Sequence, residues 1–392
     1  MKDYKLASDT WNSKEYKAIN RVIKSNSFSM GKEVATFEKE FSNFFNSKYC
    51  VMVNSGSSAN LLMIASLFFT QDKEKLLKRG DEIIVPAVSW STTYFPIQQY
   101  GLKAVFVDID LNTLNFNLEE LEKAITKKTK AIFAVNLLGN SNNFNILNKI
   151  AKNRGILLLE DNCESMGAKF NNKFTGTFGI MGSFSSFYSH HIATMEGGYI
   201  LTDDKELYHI LLSLRAHGWT RNLPNINKVT GLKSKSNFDE SFNFVLPGYN
   251  LRPLEMSAAI GKEQLKKLPN FIKQRRENAI YFKSLFKDLS QITTQKEIGK
   301  SSWFGFSIIL KKNTTSRKDL LEVLSKHKIE TRPIVSGNFL KFKKVLRYFD
   351  FRVQGDLKNA RNLDKYGFFV GNHHLNIHKQ LEKLKKVISE NC

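Results

Sequence analysis

The chain has 392 residues, 42% of them hydrophobic, so it can bury more than one ordinary core. This composition excludes a disordered or fibrous chain. The formal net charge of +22 favours anionic partners in general, but the basic residues occur in short, scattered runs that are typical of solvated faces.

The first two-thirds of the chain alternates between apolar runs and helical patterns. The apolar runs are three to five residues long, and each ends in a polar or turn residue. Such runs, separated by helices, indicate a mainly parallel sheet covered on both faces. The predicted helices are 61–69, 118–125 and 144–152, and the predicted strands are 83–85, 104–107, 131–135 and 156–159.

The pattern changes near Pro253. A long amphipathic stretch at 255–286 leads into a strand-like run at 304–310 and helical patterns at 317–326 and 377–388. These elements predict a smaller α+β unit. We therefore expect a large domain over residues 1–254 and a linking helix with a small domain over 255–392.

The three cysteines, Cys50, Cys163 and Cys392, show no CxxC spacing and cannot supply a four-thiolate site. A sparse, odd number of cysteines is typical of a reducing compartment. The chain starts without an apolar signal core, and no run approaches the roughly 18 apolar residues of a membrane span. We expect a cytoplasmic protein with no metal and no membrane partner.

The first candidate for chemistry is the small-residue loop 54–60, which precedes a helical pattern. Its Gly56 lets the backbone approach an anion, and free amides at a helix start bind phosphate. A serine-rich cap at the start of a helix accounts for the same residues equally well. The sequence contains no Walker loop and no GxGxxG, so ordinary nucleotide-binding folds gain no support.

Two further candidates follow strand-like runs. Asp161 is open to four interpretations: metal ligand, base, partner of a protonated ring nitrogen, or helix cap. His190 and His191 are flanked by hydroxyl residues and precede Glu196-Gly197-Gly198, which is unlike core sequence. Adjacent histidines can bind metal, but their side chains do not converge and no distant ligands stand out. A structural pair of histidines also remains open.

Together these segments resemble the DegT-type sugar aminotransferases over nearly the whole chain. The matching segments are Met30-Gly31-Lys32, Phe37-Glu38, 54–57, 86–90, 160–161, Ser185, 196–198 and 248–252. The resemblance implies pyridoxal phosphate and a type I, aspartate aminotransferase-like fold. In that family a lysine stands six residues before the glutamate of Gly-Glu-Gly-Gly. Here that position is His190, and Met195 replaces the first glycine.

No lysine lies between Lys173 and Lys205, so no close neighbour substitutes for the missing one. A histidine at this position is similar to the sugar 3-dehydratases, which use pyridoxamine phosphate. One kind of these enzymes holds an iron–sulfur cluster on four cysteines, which three cysteines exclude. The resemblance thus implies the cluster-free kind, which removes the C-3 hydroxyl of a GDP-linked 4-keto-6-deoxyhexose, with glutamate as amino donor and ammonia released.

The resemblance also implies how the cofactor is held. The Gly56 and Ser57 amides and the Ser185 hydroxyl would bind its phosphate. Trp90 would stack on the pyridine ring, and Asp161 would keep the ring nitrogen protonated.

The resemblance implies roles for further residues as well, but less specifically. Glu164 lies near the cofactor's phenolic oxygen, where relatives often have glutamine or histidine. Asn250 would reach the partner's cofactor phosphate, which implies a homodimer with shared sites. His217, Arg252 and Arg332 are candidates for substrate or diphosphate contacts, and a structural role explains each of them as well.

His190 is the expected catalytic residue. Histidine forms no stable covalent link to pyridoxal phosphate, so the cofactor would be bound non-covalently, but its usual pKa near 6.5 suits proton transfer. Two alternatives stay open: an aminotransferase and a non-catalytic cofactor-binding homologue. We expect no nucleic-acid partner, which charge alone would suggest.

Overall fold

The structure is a computed structural model and describes residues 3–312 and 314–392. Several helices begin at a residue whose side chain accepts a hydrogen bond from the first turn, as Ser55, Asn143 and Asp204 do. The described helices are α1 (Ser13–Ser25), α2 (Lys32–Phe44), α3 (Gly56–Ser66), α4 (Ser91–Gln99), α5 (Leu118–Lys123), α6 (Phe144–Arg154), α7 (Lys205–Leu214), α8 (Asn237–Glu240), α9 (Glu255–Phe286), α10 (Arg317–Lys326), α11 (Lys343–Leu346), α12 (Lys358–Tyr366) and α13 (His378–Asn391).

The strands form one large sheet, one small sheet and two short hairpins. They are β1 (Tyr49–Val53), β2 (Glu82–Pro86), β3 (Lys103–Val107), β4 (Thr129–Val135), β5 (Leu157–Asp161), β6 (Lys169–Phe170), β7 (Lys173–Phe174), β8 (Met181–Ser185), β9 (Gly198–Thr202), β10 (Ile226–Asn227), β11 (Gly231–Leu232), β12 (Ile292–Thr294), β13 (Gly305–Leu310), β14 (Phe351–Val353) and β15 (Gly367–Gly371).

The large sheet has the strand order β1-β9-β8-β5-β4-β2-β3-β14. The pairings from β8 to β14 are parallel, and β9 runs antiparallel to both of its neighbours. The predicted mainly parallel α/β sheet is therefore confirmed. Because β2, β4, β5 and β8 run the same way, their carboxyl ends meet at one edge, where ligands of open α/β sheets bind.

Two hydrophobic clusters show how the large and small sheets are packed. Strands β1–β5 bury their apolar runs against α3, α4 and α7. A second core joins the end of α9, α10 and α13 to the small sheet β12-β13-β15, and the N-terminal Tyr4 packs into it. The apolar faces of these elements are almost fully removed from water, which is the main stabilising contribution.

The long helix at 255–286 and the helix at 317–326 have the predicted bounds. The first predicted helix starts earlier than expected, at Gly56 rather than 61, because the polar residues of the loop form its first turn. The division into domains at 254/255 stays a prediction. No helix among residues 3–312 and 314–392 is long and apolar enough to cross a membrane.

Candidate active site

The turn between β1 and α3 forms one wall of the site. Ser55 caps α3, and the first amides of a helix, here those of Gly56 and Ser57, have no partner within it. A Cβ on Gly56 would lie 2.7 Å from the Ser185 Cβ and 2.9 Å from the Cys163 Sγ. Only glycine therefore lets this turn approach the end of β8. The arrangement brings the predicted phosphate-binding groups together.

The Asp161 carboxylate lies buried at the end of β5. Its Oδ2 accepts hydrogen bonds from Asn60 Nδ2 and Thr93 Oγ1, both at 2.8 Å. Its Oδ1 accepts one from the Cys163 amide at 3.2 Å. Residues 162–168 form turns instead of a helix, so the helix-cap interpretation of Asp161 is wrong. These contacts fix the carboxylate at the sheet edge.

Trp90 precedes the first residue of α4, and its side chain is 58% exposed. Two contacts tie its turn to the site. The Ser57 hydroxyl donates to Thr92 Oγ1 at 3.0 Å, and Thr93 donates to Asp161. The Trp90 ring is thus available near the turn 55–57, which carries the predicted phosphate-binding amides. Sequence reasoning missed Thr93, although it stands one helical turn after Trp90.

His190 lies on the irregular loop 186–197 between β8 and β9. Its ring centroid is 5.3 Å from that of Phe304, and its Nδ1 is buried with no hydrogen-bond partner in the described part of the chain. Burial lowers the pKa of His190 to about 4, and the nearby charge of Arg275 acts in the same direction. The imidazole is therefore neutral at neutral pH and able to accept a proton.

His191 points elsewhere. Its Nε2 bonds the Ser302 carbonyl at 3.1 Å, and it is fully buried. Among the residues that the structure describes, no three or more His, Cys, Asp or Glu side chains are grouped to hold a metal ion. His191 thus anchors the loop to residues 301–304, which fits a structural role.

Glu164 lies close to the same region. Its Oε2 accepts from the Leu138 amide at 3.0 Å, and the Leu138 carbonyl accepts from the Phe304 amide at 3.1 Å. Burial raises the pKa of Glu164 to about 7, and the Asp161 carboxylate adds to the rise. Phe304 therefore packs near the His190 ring with its side chain and bonds Leu138, the residue that bonds Glu164, with its backbone.

Met195, which replaces the glycine of the family motif, keeps a backbone that favours glycine. Its φ is 67°, in the left-handed region, and its side chain is exposed. A left-handed conformation costs a non-glycine residue about 1–2 kcal/mol. The chain retains the turn of the motif without its glycine.

Asn250, His217 and Arg252 form a separate group around Trp219. The Asn250 Oδ1 accepts from Arg252 Nε at 3.0 Å, and the His217 and Trp219 rings lie 4.7 Å apart. The guanidinium groups of Arg221 and Arg252 lie 4.8 and 5.9 Å from the Trp219 ring. These side chains contact each other, and the carbonyl of Leu251, which stands between Asn250 and Arg252, accepts from the Asn54 amide at 3.1 Å, at the start of the loop 54–60. Trp219 and Arg221 belong to the group, although sequence reasoning gave them no role.

Arg332 is exposed, and its backbone pairs with Phe369 next to the small sheet. Its segment still reaches the site, because the Ser336 hydroxyl donates to the Ser89 carbonyl at 2.5 Å. Ser89 immediately precedes Trp90. Arg332 thus stands on a segment at the mouth of the site, outside the buried group.

The mainly parallel sheet, with polar groups collected at one edge, defines an α/β protein of the type I aminotransferase architecture. The chain belongs to the DegT/DnrJ/EryC1/StrS aminotransferase family, whose model matches residues 9–389. It is 63% identical over 389 residues to a GDP-4-keto-6-deoxy-D-mannose 3-dehydratase of Escherichia coli O55:H7, across 99% of this chain and all of that relative.

Two solved structures are similar over nearly their whole length. One is a GDP-4-keto-6-deoxymannose-3-dehydratase with a trapped PLP-glutamate geminal diamine, at a TM-score of 0.97 and 63% identity, covering 98% of this chain and 100% of the other. The second is a histidine-to-asparagine mutant of such a dehydratase with bound GDP-perosamine, at a TM-score of 0.97 and 62% identity with the same coverage. The predicted fold and family are thereby confirmed.

Proposed function

We propose that the protein is a sugar 3-dehydratase that converts GDP-4-keto-6-deoxy-D-mannose to GDP-4-keto-3,6-dideoxy-D-mannose. One glutamate is consumed and one 2-oxoglutarate and one ammonia are released, which balances the loss of the C-3 hydroxyl. The observation that carries the proposal is His190, whose buried Nδ1 has no partner in the described residues, in a chain 63% identical to a dehydratase of that name. The His190 loop follows Ser185, the residue against which the Gly56 turn packs.

The residues present fit pyridoxal or pyridoxamine phosphate. The Gly56 turn packs directly against Ser185 and Cys163, where a side chain would clash, and this close approach brings a helix start, which suits a phosphate, beside the Ser185 hydroxyl. Gly56, Ser57 and Ser185 would hold that phosphate, Trp90 would cover the ring, and Asp161 would hold a proton on the ring nitrogen. The bound group supplies an amine for the C-4 ketone and a conjugated ring that withdraws electrons.

His190 would act as the base that removes a proton beside the amine, because its imidazole is neutral and Nδ1 has no protein partner in the described residues. The imidazolium that results can return a proton to the departing C-3 hydroxyl. Glu164, with a pKa near 7, can hold a proton toward the phenolic oxygen of the ring. Since histidine forms no covalent link that would displace a product amine, release as an aminosugar is disfavoured.

His217, Arg252 and Arg332 would serve the substrate side, where guanidinium groups suit a diphosphate, and Asn250 would serve the cofactor phosphate. We propose that Asn250 acts in the site of a second copy, within a homodimer. Phe242 and Phe244, beside Trp219, are 67% and 55% exposed, as expected of a surface that another chain covers. A cytoplasmic location suits the three free cysteines.

The test is incubation of the protein with GDP-4-keto-6-deoxy-D-mannose, pyridoxal phosphate and glutamate. We expect the 3,6-dideoxy product, with one 2-oxoglutarate and one ammonia for each molecule formed. His190→Asn should bind pyridoxal phosphate and lose turnover by at least about 100-fold, because the base is absent.

Unchanged substrate, or aminosugar in an amount equal to the glutamate consumed, would contradict the proposal. Full turnover by His190→Asn would remove His190 from the chemistry while leaving the substrate assignment intact.

A further inference from the structure

The loop that carries His190 needs an anchor outside itself. Residues 186–197 contain neither helix nor strand, and the loop's internal backbone bonds include His190 to Phe187 at 2.8 Å and Thr194 to Ser186 at 2.9 Å. A lysine linked to its cofactor is located by that covalent bond. A histidine with no such bond depends on the peptide that carries it for its position.

Two distant residues hold this peptide at Ala193, three positions after His190. The Ala193 amide donates to Gln264 Oε1 on α9 at 3.1 Å. The Ala193 carbonyl accepts from the indole Nε1 of Trp11 at 2.8 Å. Ala193 itself is buried, so water does not replace these bonds easily. We name Trp11 and Gln264 the Ala193 clamp.

The Gln264 side chain has one possible orientation. Its Oε1 also accepts from the Thr10 hydroxyl at 2.7 Å, while its Nε2 donates to the Thr10 carbonyl at 3.2 Å and to Glu15 Oε1 at 2.9 Å. Reversing the amide would set its NH₂ against the Ala193 N–H. Because Gln264 is fully buried and satisfied, its position is rigid.

We propose that Trp11 and Gln264 are positioning residues that fix the loop at Ala193 and so hold the His190 imidazole at the reacting atoms. The inference rests on the proposed function. It explains why the N-terminal segment, far from His190 in sequence, lies against this loop. Misplacement by about 1 Å can slow a reaction by about 100-fold, so a partial loosening has a measurable effect.

The main test is Trp11→Phe, which keeps an aromatic ring and removes the N–H. We expect glutamate-driven loss of the pyridoxal phosphate absorbance to slow about 10-fold at saturating glutamate. The half-saturating glutamate concentration and the affinity for pyridoxal phosphate should not change. In cofactor-free protein, amide hydrogen exchange over residues 189–195 should become several-fold faster.

Tyr4→Phe is the matched control. It also removes one buried donor from the N-terminal segment, the hydroxyl that bonds the Gly371 carbonyl at 2.5 Å, but it leaves the loop untouched. It should alter neither the absorbance change nor exchange over 189–195. Gln264→Met is the second variant and should accelerate exchange more, because it leaves the Ala193 amide unpaired.

Exchange over 189–195 that is the same in wild type, Trp11→Phe and Tyr4→Phe overturns the proposal, even if Gln264→Met fails to fold. A wild-type protein that does not respond to glutamate contradicts the proposed function instead, and exchange then decides on the clamp alone. Faster exchange with an unchanged rate would show that the clamp holds the loop without positioning His190, and would also contradict the proposal.

Discussion

Two acid–base groups near the candidate site, His190 and Glu164, have pKa values shifted in opposite directions by the same cause. Burial disfavours the charged form of each, so the pKa of His190 falls to about 4 and that of Glu164 rises to about 7. A neutral imidazole can accept a proton, and a neutral carboxyl can donate one. Burial therefore favours the uncharged form of both groups.

The raised pKa of Glu164 predicts how the free energy of unfolding depends on pH. Its pKa in the folded protein exceeds its usual value of 4.5, so the folded state binds more protons between pH 4.5 and about 7. Its contribution to stability is full below pH 4.5 and is lost as pH rises through 7. Glu164→Gln should therefore reduce the fall in unfolding free energy between pH 5 and pH 8 by about 1–2 kcal/mol.

Urea denaturation of the cofactor-free protein at both pH values measures this difference. The exposed Glu74→Gln should leave the pH dependence as in wild type. An unchanged pH dependence in Glu164→Gln would mean that the carboxyl is ionised throughout this range.

At the residue scale, the sequence located the groups that follow strands but missed their partners. Asp161 and His190 are visible as polar residues that follow strand-like runs, whereas Ser185 is visible only through the resemblance to the family. Asn60 and Thr93, which bond Asp161, lie on helices whose inward faces look like ordinary core. Trp11 and Gln264 are joined to the loop only by tertiary folding, over 182 and 71 positions. No local pattern could have predicted those contacts.

At the element scale, β14 shows where a short segment escapes prediction. Its three residues pair with β3 and extend the large sheet from the C-terminal part of the chain. Arg352 on β14 donates Nε to Glu82 Oε1 at 2.9 Å and Nη2 to Oε2 at 2.8 Å. This pairing lowers the pKa of Glu82 to about 2 and fastens the edge strand. The long helices, in contrast, show their period over many residues.

Arg352→Met should lower the unfolding free energy by about 2–4 kcal/mol, because it leaves the buried Glu82 carboxylate without its charged partner and with only the Thr126 and Thr129 hydroxyls. The matched control is Arg361→Met, which breaks the exposed pair with Asp356 and should cost under about 1 kcal/mol. Denaturant unfolding of both variants measures the two losses. Equal losses would show that the Glu82 pair does not fasten β14.

At the scale of the whole molecule, the candidate site residues fall into two groups, one at the sheet edge and one around Trp219. The sheet edge collects Gly56, Asp161 and Ser185, whereas Asn250 bonds Arg252 beside Trp219. The sequence pattern predicted a mainly parallel sheet, since short apolar runs separated by helices indicate parallel strands, but it did not predict the strand order or the antiparallel β9. It could not show whether Asn250 serves its own chain or a second copy, because no local pattern marks a surface that a second copy would cover.

Mixing two inactive variants tests the proposed sharing of sites. If Asn250 serves the partner's site, a hybrid of His190→Asn and Asn250→Ala chains has one site with both native residues and one with neither. Random exchange of subunits should then restore about a quarter of the wild-type rate, because half of the dimers are hybrids with one intact site.

The matched control mixes His190→Asn with Ser185→Ala. Both residues belong to the same chain's site, so every hybrid site keeps one defect and the rate should stay at the level of the separate variants. Sedimentation of the mixtures confirms that dimers have formed. If dimers form and the first mixture recovers no rate, Asn250 acts within its own chain or outside the site.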